Sequence, residues 1–279
     1  MGAPHCVMKH YDPMIGCDFH FVVLPPDFVP KGPAPYFTMS LLNGLLVFFT
    51  PLPKQVTLYG VTVAKGSDIG GGIPHIGAPS ADLAITILTS GSKCHFGADS
   101  YKVENKPPAL ALLVDVNPNL NCGTPVPTIT GAVIALNTHA AGMSWADVLG
   151  GFASLAADAI MQTIFNALGT AFGNMKFFQG TGLLATKIWT GITFFLGTPL
   201  GPGLGNTNIF KDKDGNGWSP GGAVESFVNS GAENVGRAVG DILDGQPPHW
   251  PEIPEFAGPK SGNLPKPSNL PLIGIGKPE

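Results

Sequence analysis

The chain has 279 residues, a formal charge of −4 and only 12% charged residues against 44% hydrophobic ones. That balance excludes wholesale disorder, which needs a polar, charged chain. It also argues against nucleic-acid binding, since the 15 basic residues are thinly spread and Arg237 is the sole arginine. Gly 38 and Pro 28 inside an apolar chain imply a fold rich in tight turns, where glycine reaches positive φ and proline presets φ.

The start does not read as a secretory signal. His5, Lys9, His10, Asp12 and Asp18 interrupt it and no apolar run follows. Strand-like pieces then succeed one another to about Asn137. Val22 to Pro26 is a short extended piece ended by prolines, and Leu24 to Val56 has the character of an insertion. Gly32 to Pro53 is uncharged over 22 residues. Prolines confine its greasy part, Leu41 to Phe49, to a buried or interface strand rather than a membrane span. Val56–Val63, Leu83–Leu88, Tyr101–Val103, Leu110–Val114 and Val133–Leu136 continue the series of expected strands.

Periodicity changes after His139. Ser144 is placed to cap a helix that starts at Trp145, with Asp147 in its first turn. Gly151 to Gly169 is proline-free and apolar on most faces, as in a helix buried on several sides or meeting lipid or a partner. A second uncharged segment, Trp189 to Leu204, is broken early by glycine and proline. A last helix is expected from Gly222 to Leu243, with Val224, Phe227, Val228, Val235, Val239 and Ile242 as its apolar stripe and Gly245 as its stop. Beyond His249 the chain reads as an extended Pro/Gly-rich tail. The division expected is residues 1–140, β-rich; 141–245, apolar and amphipathic helices; and 246–279, tail or linker.

Histidines and cysteines at the ends of strand-like pieces carry the chemistry. The four cysteines allow two disulfides, but Cys17, His20, His75, Cys94, His95 and Cys122 also suit a metal. Cys17 and His20 have a short spacing suited to two ligands from one turn, and Cys17, His20, His75 and Cys122 form the leading quartet. Adjacent Cys94 and His95 would point to opposite faces of a strand. Asp212 to Gly217 copies the first half of a calcium loop, but Ala223 stands where the bidentate glutamate belongs. No serine lies in a Gly-x-Ser-x-Gly elbow, and there is no His-Glu-x-x-His helix or phosphate loop. No catalytic residue is assigned, and an enzyme is not expected.

Several motifs follow in order through the first half: Asp12-Pro13, then Cys17-Asp18-Phe19-His20, then Pro74-His75-Ile76-Gly77. Gly91-Ser92, Asn105-Lys106-Pro107, Asp115 and Asn121-Cys122-Gly123 complete the series. This pattern resembles the PAAR-like spike tips of bacterial contractile, type VI secretion-like, injection systems, and the N-terminal regions of Rhs-type effectors. The resemblance implies a mainly β, short-stranded cone or prism that caps a trimeric VgrG-like spike and binds zinc at its narrow end. It also implies a fused or bound toxin effector, an effector chaperone and transient membrane contact. The location implied is cytoplasmic before assembly, then export by the machine. A toxin-delivery module with a membrane-inserting or chaperone-bound helical segment is the second expectation; a small secreted hydrolase, lacking a recognisable site, is the third.

Overall fold

The computed structural model describes residues 4–26, 30–42, 62–65, 73–81, 83–84, 87, 93–103, 107–119, 131–173 and 220–249. These residues are mostly β-sheet with two helices. Strands β1 (Pro4–Cys6) and β7 (Ala140–Gly142) pair antiparallel. The larger sheet contains β2 (Pro13–Val23), β3 (Pro30–Leu41), β4 (His75–Gly77), β5 (Val116–Asn119) and β6 (Gly131–Ile134). Its order is β4-β3-β2-β6-β5, antiparallel throughout.

The structure adds one strand to those expected and changes another. Residues 30–41, expected in an insertion, form β3 and pair with β2 along almost its whole length. Prolines are tolerated there because, among the described residues, β4 covers only Tyr36–Thr38, so no strand there calls on an amide donor from Pro30 to Pro35. The expected strand at Leu83–Leu88 is helical at Leu83, Ala84 and Ile87. Alternation is weak there and alanine favours a helix. Most of Val56–Val63 lies outside the described residues, as does Leu41–Phe49 beyond Leu42.

Strand alternation gives the sheet two unlike faces. Met14, Asp18, His20, Tyr36, Thr38, His75, Asn117 and Val133 are buried on one side. Ile15, Phe19, Phe21, Phe37, Met39 and Ile76 are exposed on the other. Ile15 pairs with Met39, Cys17 with Phe37, and Phe37 in turn with Ile76, so the exposed set is contiguous across three strands. The main core joins Cys6, Met8, Met14, Leu42, Val63 and Cys94. A second cluster around Val7, Phe96, Leu110 and Met143 leads towards the helices.

Helix α1 runs Trp145–Gly173 and α2 runs Pro220–Leu243. The Ser144 cap forms as expected: its Oγ accepts from the Asp147 amide at 3.1 Å, while Asp147 Oδ2 accepts from the Ser144 amide at 3.0 Å. Asp244, at the end of α2, accepts from the Trp145 amide at 2.9 Å and so caps α1 from across the helix pair. Gly245 ends α2 at φ +70°, where its amide donates to Ile242 and the next amide to Asp241.

The expected stripe of α2 is not its packed face. Val224, Phe227, Val235, Val239 and Ile242 are exposed. The contact with α1 is made instead by small residues: a methyl group at Gly236 or Gly240 would overlap the backbone of Leu149 or Ala146. Close backbone approach brings α2's polar row inward, where Arg237 Nη1 meets Asp147 Oδ1 at 2.9 Å and Asp99 Oδ2 at 3.0 Å. Lys65 reaches Glu233 of the same row. Phe96 packs edge-on against Phe152 of α1, with ring centroids 5.2 Å apart. These contacts fasten the helices to the β-rich part.

Candidate metal centre

Asp18 and His20 are two apart on β2, so both side chains emerge on its buried face. His75 lies on β4, beyond β3, in the row that holds Thr38. From there its Nε2 comes within 3.2 Å of Asp18 Oδ2. The His20 and His75 rings approach edge to face with centroids 4.9 Å apart, and Tyr36 closes the third side with its centroid 5.6 Å from His20. One ligand atom from each of Asp18, His20 and His75 lies within 4.8 Å of the others. Donor atoms around tetrahedral zinc stand about 3.3 Å apart, so the most widely separated pair would have to close by up to about 1.5 Å to hold an ion.

The donor chemistry of His75 fits a cation. Its Nδ1 lies 2.6 Å from the Ile73 carbonyl, which only accepts, so that nitrogen carries the hydrogen. The lone pair of a neutral ring then sits on Nε2 and faces the Asp18 carboxylate. Two acceptors at 3.2 Å repel unless a proton or a metal ion lies between them. An imidazole that donates one nitrogen to a backbone carbonyl and offers the other inward is the usual arrangement of a metal-bound histidine. Two imidazoles and one carboxylate suit zinc and other first-row divalent ions.

Of the expected quartet, the structure brings His20 and His75 together. Cys17 does not join them: it is exposed on the opposite face, because the Cys17–His20 segment is extended strand rather than a turn, and residues three apart on a strand diverge. Cys122 lies outside the described residues, as does the acidic loop at Asp212 to Gly217. Pro74 to Gly77, expected as a turn, contributes strand β4. Asp18 is not among the expected ligands; the signal for it is the Asp-x-His alternation within a β-branched and aromatic strand.

The other cysteines behave as packing groups. Cys6 and Cys94 are buried and unbridged. Burial, reinforced by the Asp115 and Asp12 carboxylates, pushes the Cys6 thiol up and away from the thiolate a metal requires. His95, next to Cys94, turns instead to α1. Its Nδ1 lies 3.0 Å from Ser154 Oγ and its Nε2 3.0 Å from Asp158 Oδ2.

Compared with known proteins, the chain matches no family, no curated protein and no solved structure.

Proposed function

We propose that this protein is a structural spike tip and effector adaptor, capping a trimeric VgrG-like spike of a contractile secretion system. The observation that carries this reading is the contiguous apolar outer face formed by Ile15, Phe19, Phe37, Met39 and Ile76. Capping a blunt β-prism calls for a flat, apolar surface that makes close contact, and contiguous exposed apolar residues mark interaction sites. The ordered motifs of the first half, from Asp12-Pro13 to Asn121-Cys122-Gly123, supply the identity of the partner.

In this reading Asp18, His20 and His75 hold one zinc ion, which ties β2 to β4 across the buried side of the sheet. Zinc here is structural: it cross-links two strands where a small cone has little hydrophobic interior. The wider architecture is a PAAR-like cone, followed by a helical region and a Pro-rich tail that leads to a toxin. Export then proceeds through the machine.

Mixing the full chain with a trimeric spike protein and imaging the product tests the proposal. An end-on cap on the spike is expected, and Phe37→Ser with Ile76→Ser should abolish it while leaving the chain folded. A spike that stays bare in the presence of folded, metal-loaded protein overturns it.

A second reading, a delivery module whose helices are covered by a chaperone or a membrane, draws on the helix pair. Trp145, Ile160 and Ile164 of α1 and Val235, Val239 and Ile242 of α2 are exposed. Among the described residues no helix is long and apolar enough to cross a membrane. Isolated chain that remains monomeric without any partner counts against it.

A further inference from the structure

Where the β-rich part meets the helices there is a cavity of about 480 Å³, and its wall includes Lys65, Lys93, His95, Ser154, Asn229 and Glu233. Ser154 and Asp158 lie one turn apart on α1, so they share a face. His95 lies against both, 3.0 Å from Ser154 Oγ through Nδ1 and 3.0 Å from Asp158 Oδ2 through Nε2. We propose that Ser154, His95 and Asp158 form a nucleophile–base–carboxylate relay that hydrolyses small, uncharged, polar carboxylic esters.

The polarity of the chain of contacts is fixed by the carboxylate. Asp158 only accepts, so the tautomer that suits it puts the hydrogen on His95 Nε2 and leaves Nδ1 to accept from the Ser154 hydroxyl; the Nε2–Oδ2 approach is a close contact at 3.0 Å rather than an aligned hydrogen bond. That is the tautomer a general base needs. Asp158 sits behind the ring, fully buried, while Ser154 and His95 face the cavity. The Asn229 amide of α2 donates to the other carboxylate oxygen and holds it in place. Burial pushes the Asp158 carboxyl up, but His95, the Lys93 charge and Asn229 together outweigh it and keep the group below its ordinary range. The carboxylate therefore stays ionised and supports the imidazolium formed in the reaction. Such relays are recognised by geometry and role rather than by sequence motif, and the nitrogens of the imidazole are simply exchanged relative to the commoner orientation.

The chemistry balances without any co-reactant but water. Ser154 Oγ attacks the ester carbonyl carbon as its proton passes to His95 Nδ1. The tetrahedral oxyanion lies in a cavity whose wall carries Lys93. Collapse breaks the bond to the alcohol, which leaves with the proton from His95. Water, deprotonated by the same nitrogen, then attacks the acyl carbonyl carbon; the bond to Ser154 Oγ breaks, the carboxylic acid leaves, and His95 Nδ1 returns the proton to Oγ. The cavity volume suits a small ligand. Lysines and Glu233 of opposite charge in one wall favour a neutral, polar substrate over an anion.

Capping a spike neither requires nor forbids this activity, so the two proposals fail separately. The test uses the full chain, a fluorophosphonate probe and p-nitrophenyl acetate. The probe should leave its phosphonyl group on Ser154 Oγ, with loss of fluoride, and mass spectrometry should find it on the peptide bearing Ser154. Ester turnover should fall on the order of a hundredfold or more in Ser154→Ala, whose helix content by circular dichroism matches the parent. Folded parent chain with no adduct on Ser154, or turnover equal in parent and Ser154→Ala, overturns the proposal. Labelling is read on the unaltered chain, so it tests the relay whether or not any variant folds.

Discussion

Two buried histidines, each within about 3 Å of a carboxylate, end in opposite electrostatic situations. His75 gives Nδ1 to a backbone carbonyl at 2.6 Å and must meet Asp18 with its remaining nitrogen. His95 gives Nε2 to Asp158 and meets, on the other side, a serine hydroxyl. A carbonyl can only accept, whereas a hydroxyl donates or accepts as required. At the sheet–helix seam one tautomer of His95 suits both of its neighbours, although Asp158 Oδ2 and Asn229 Oδ1 gain no aligned hydrogen bond; under the sheet the tautomer that suits Ile73 sets two acceptors face to face. The difference lies in one neighbour, Ile73 against Ser154. It shows that a histidine–carboxylate distance says little until the second ring nitrogen is accounted for.

The largest effect that would sharpen this contrast comes from breaking the seam cluster. Asp158→Ala should cost roughly 1–3 kcal/mol in a denaturant melt for each of the two buried donors it strands, the His95 ring and the Asn229 amide. The carboxyl of Asp158 is held below its ordinary value. Its contribution is thus fully present above the unfolded value of about 3.9 and is lost as pH falls through the lower folded one. Asp158→Asn should flatten the acid limb of the stability profile; an unchanged limb breaks the comparison.

The cluster beneath the sheet should respond to metal instead. Dialysis against zinc should load about one ion per chain. At free zinc one hundred times its dissociation constant, thermal melts should gain about 2.7 kcal/mol. His75→Ala should lose both the ion and the gain. A parent chain that takes up no divalent ion shows that a proton, not a metal, sits between His75 and Asp18.

Smaller effects come from the packing that positions each cluster. Gly240→Ala would normally favour a helix. Here it should destabilise by about 1–3 kcal/mol, because the new methyl meets the Ala146 backbone. A stabilised variant would show that the helices stand further apart. Least affected should be Phe37→Ser on the outer face, with a change within about 0.5 kcal/mol in the isolated chain. A loss of several times that would mean that Phe37 is covered by the chain itself.

Parts of this arrangement are legible in the residues. Ser144 with Asp147 announces the start of α1, Gly245 announces the end of α2, and His20 and His75 stand out as candidate co-ligands by residue type and position alone. What hides Asp18 is the expectation of a turn: on an extended strand the companion of His20 is two residues away, not three. Strand β3 is obscured by Pro30, Pro33 and Pro35, which are legible as strand only when the short reach of β4 is known. The seam cluster is hidden by distance, since His95 and Ser154 are separated by 59 positions in the chain. A hint remains in Ser154 and Asp158, two polar groups at helical spacing in an otherwise apolar run. The packed face of α2 is easily misjudged because valines form the obvious stripe, yet glycines allow the closer contact.

The position of Cys17 makes it a reporter already installed by nature. Of the three described cysteines it alone is exposed, opposite Phe37 in the middle of the greasy surface. A thiol-reactive dye should attach there while that surface is bare and be shut out once a cap is seated. The speed of alkylation thus measures occupancy directly, in a crude mixture and without an engineered tag.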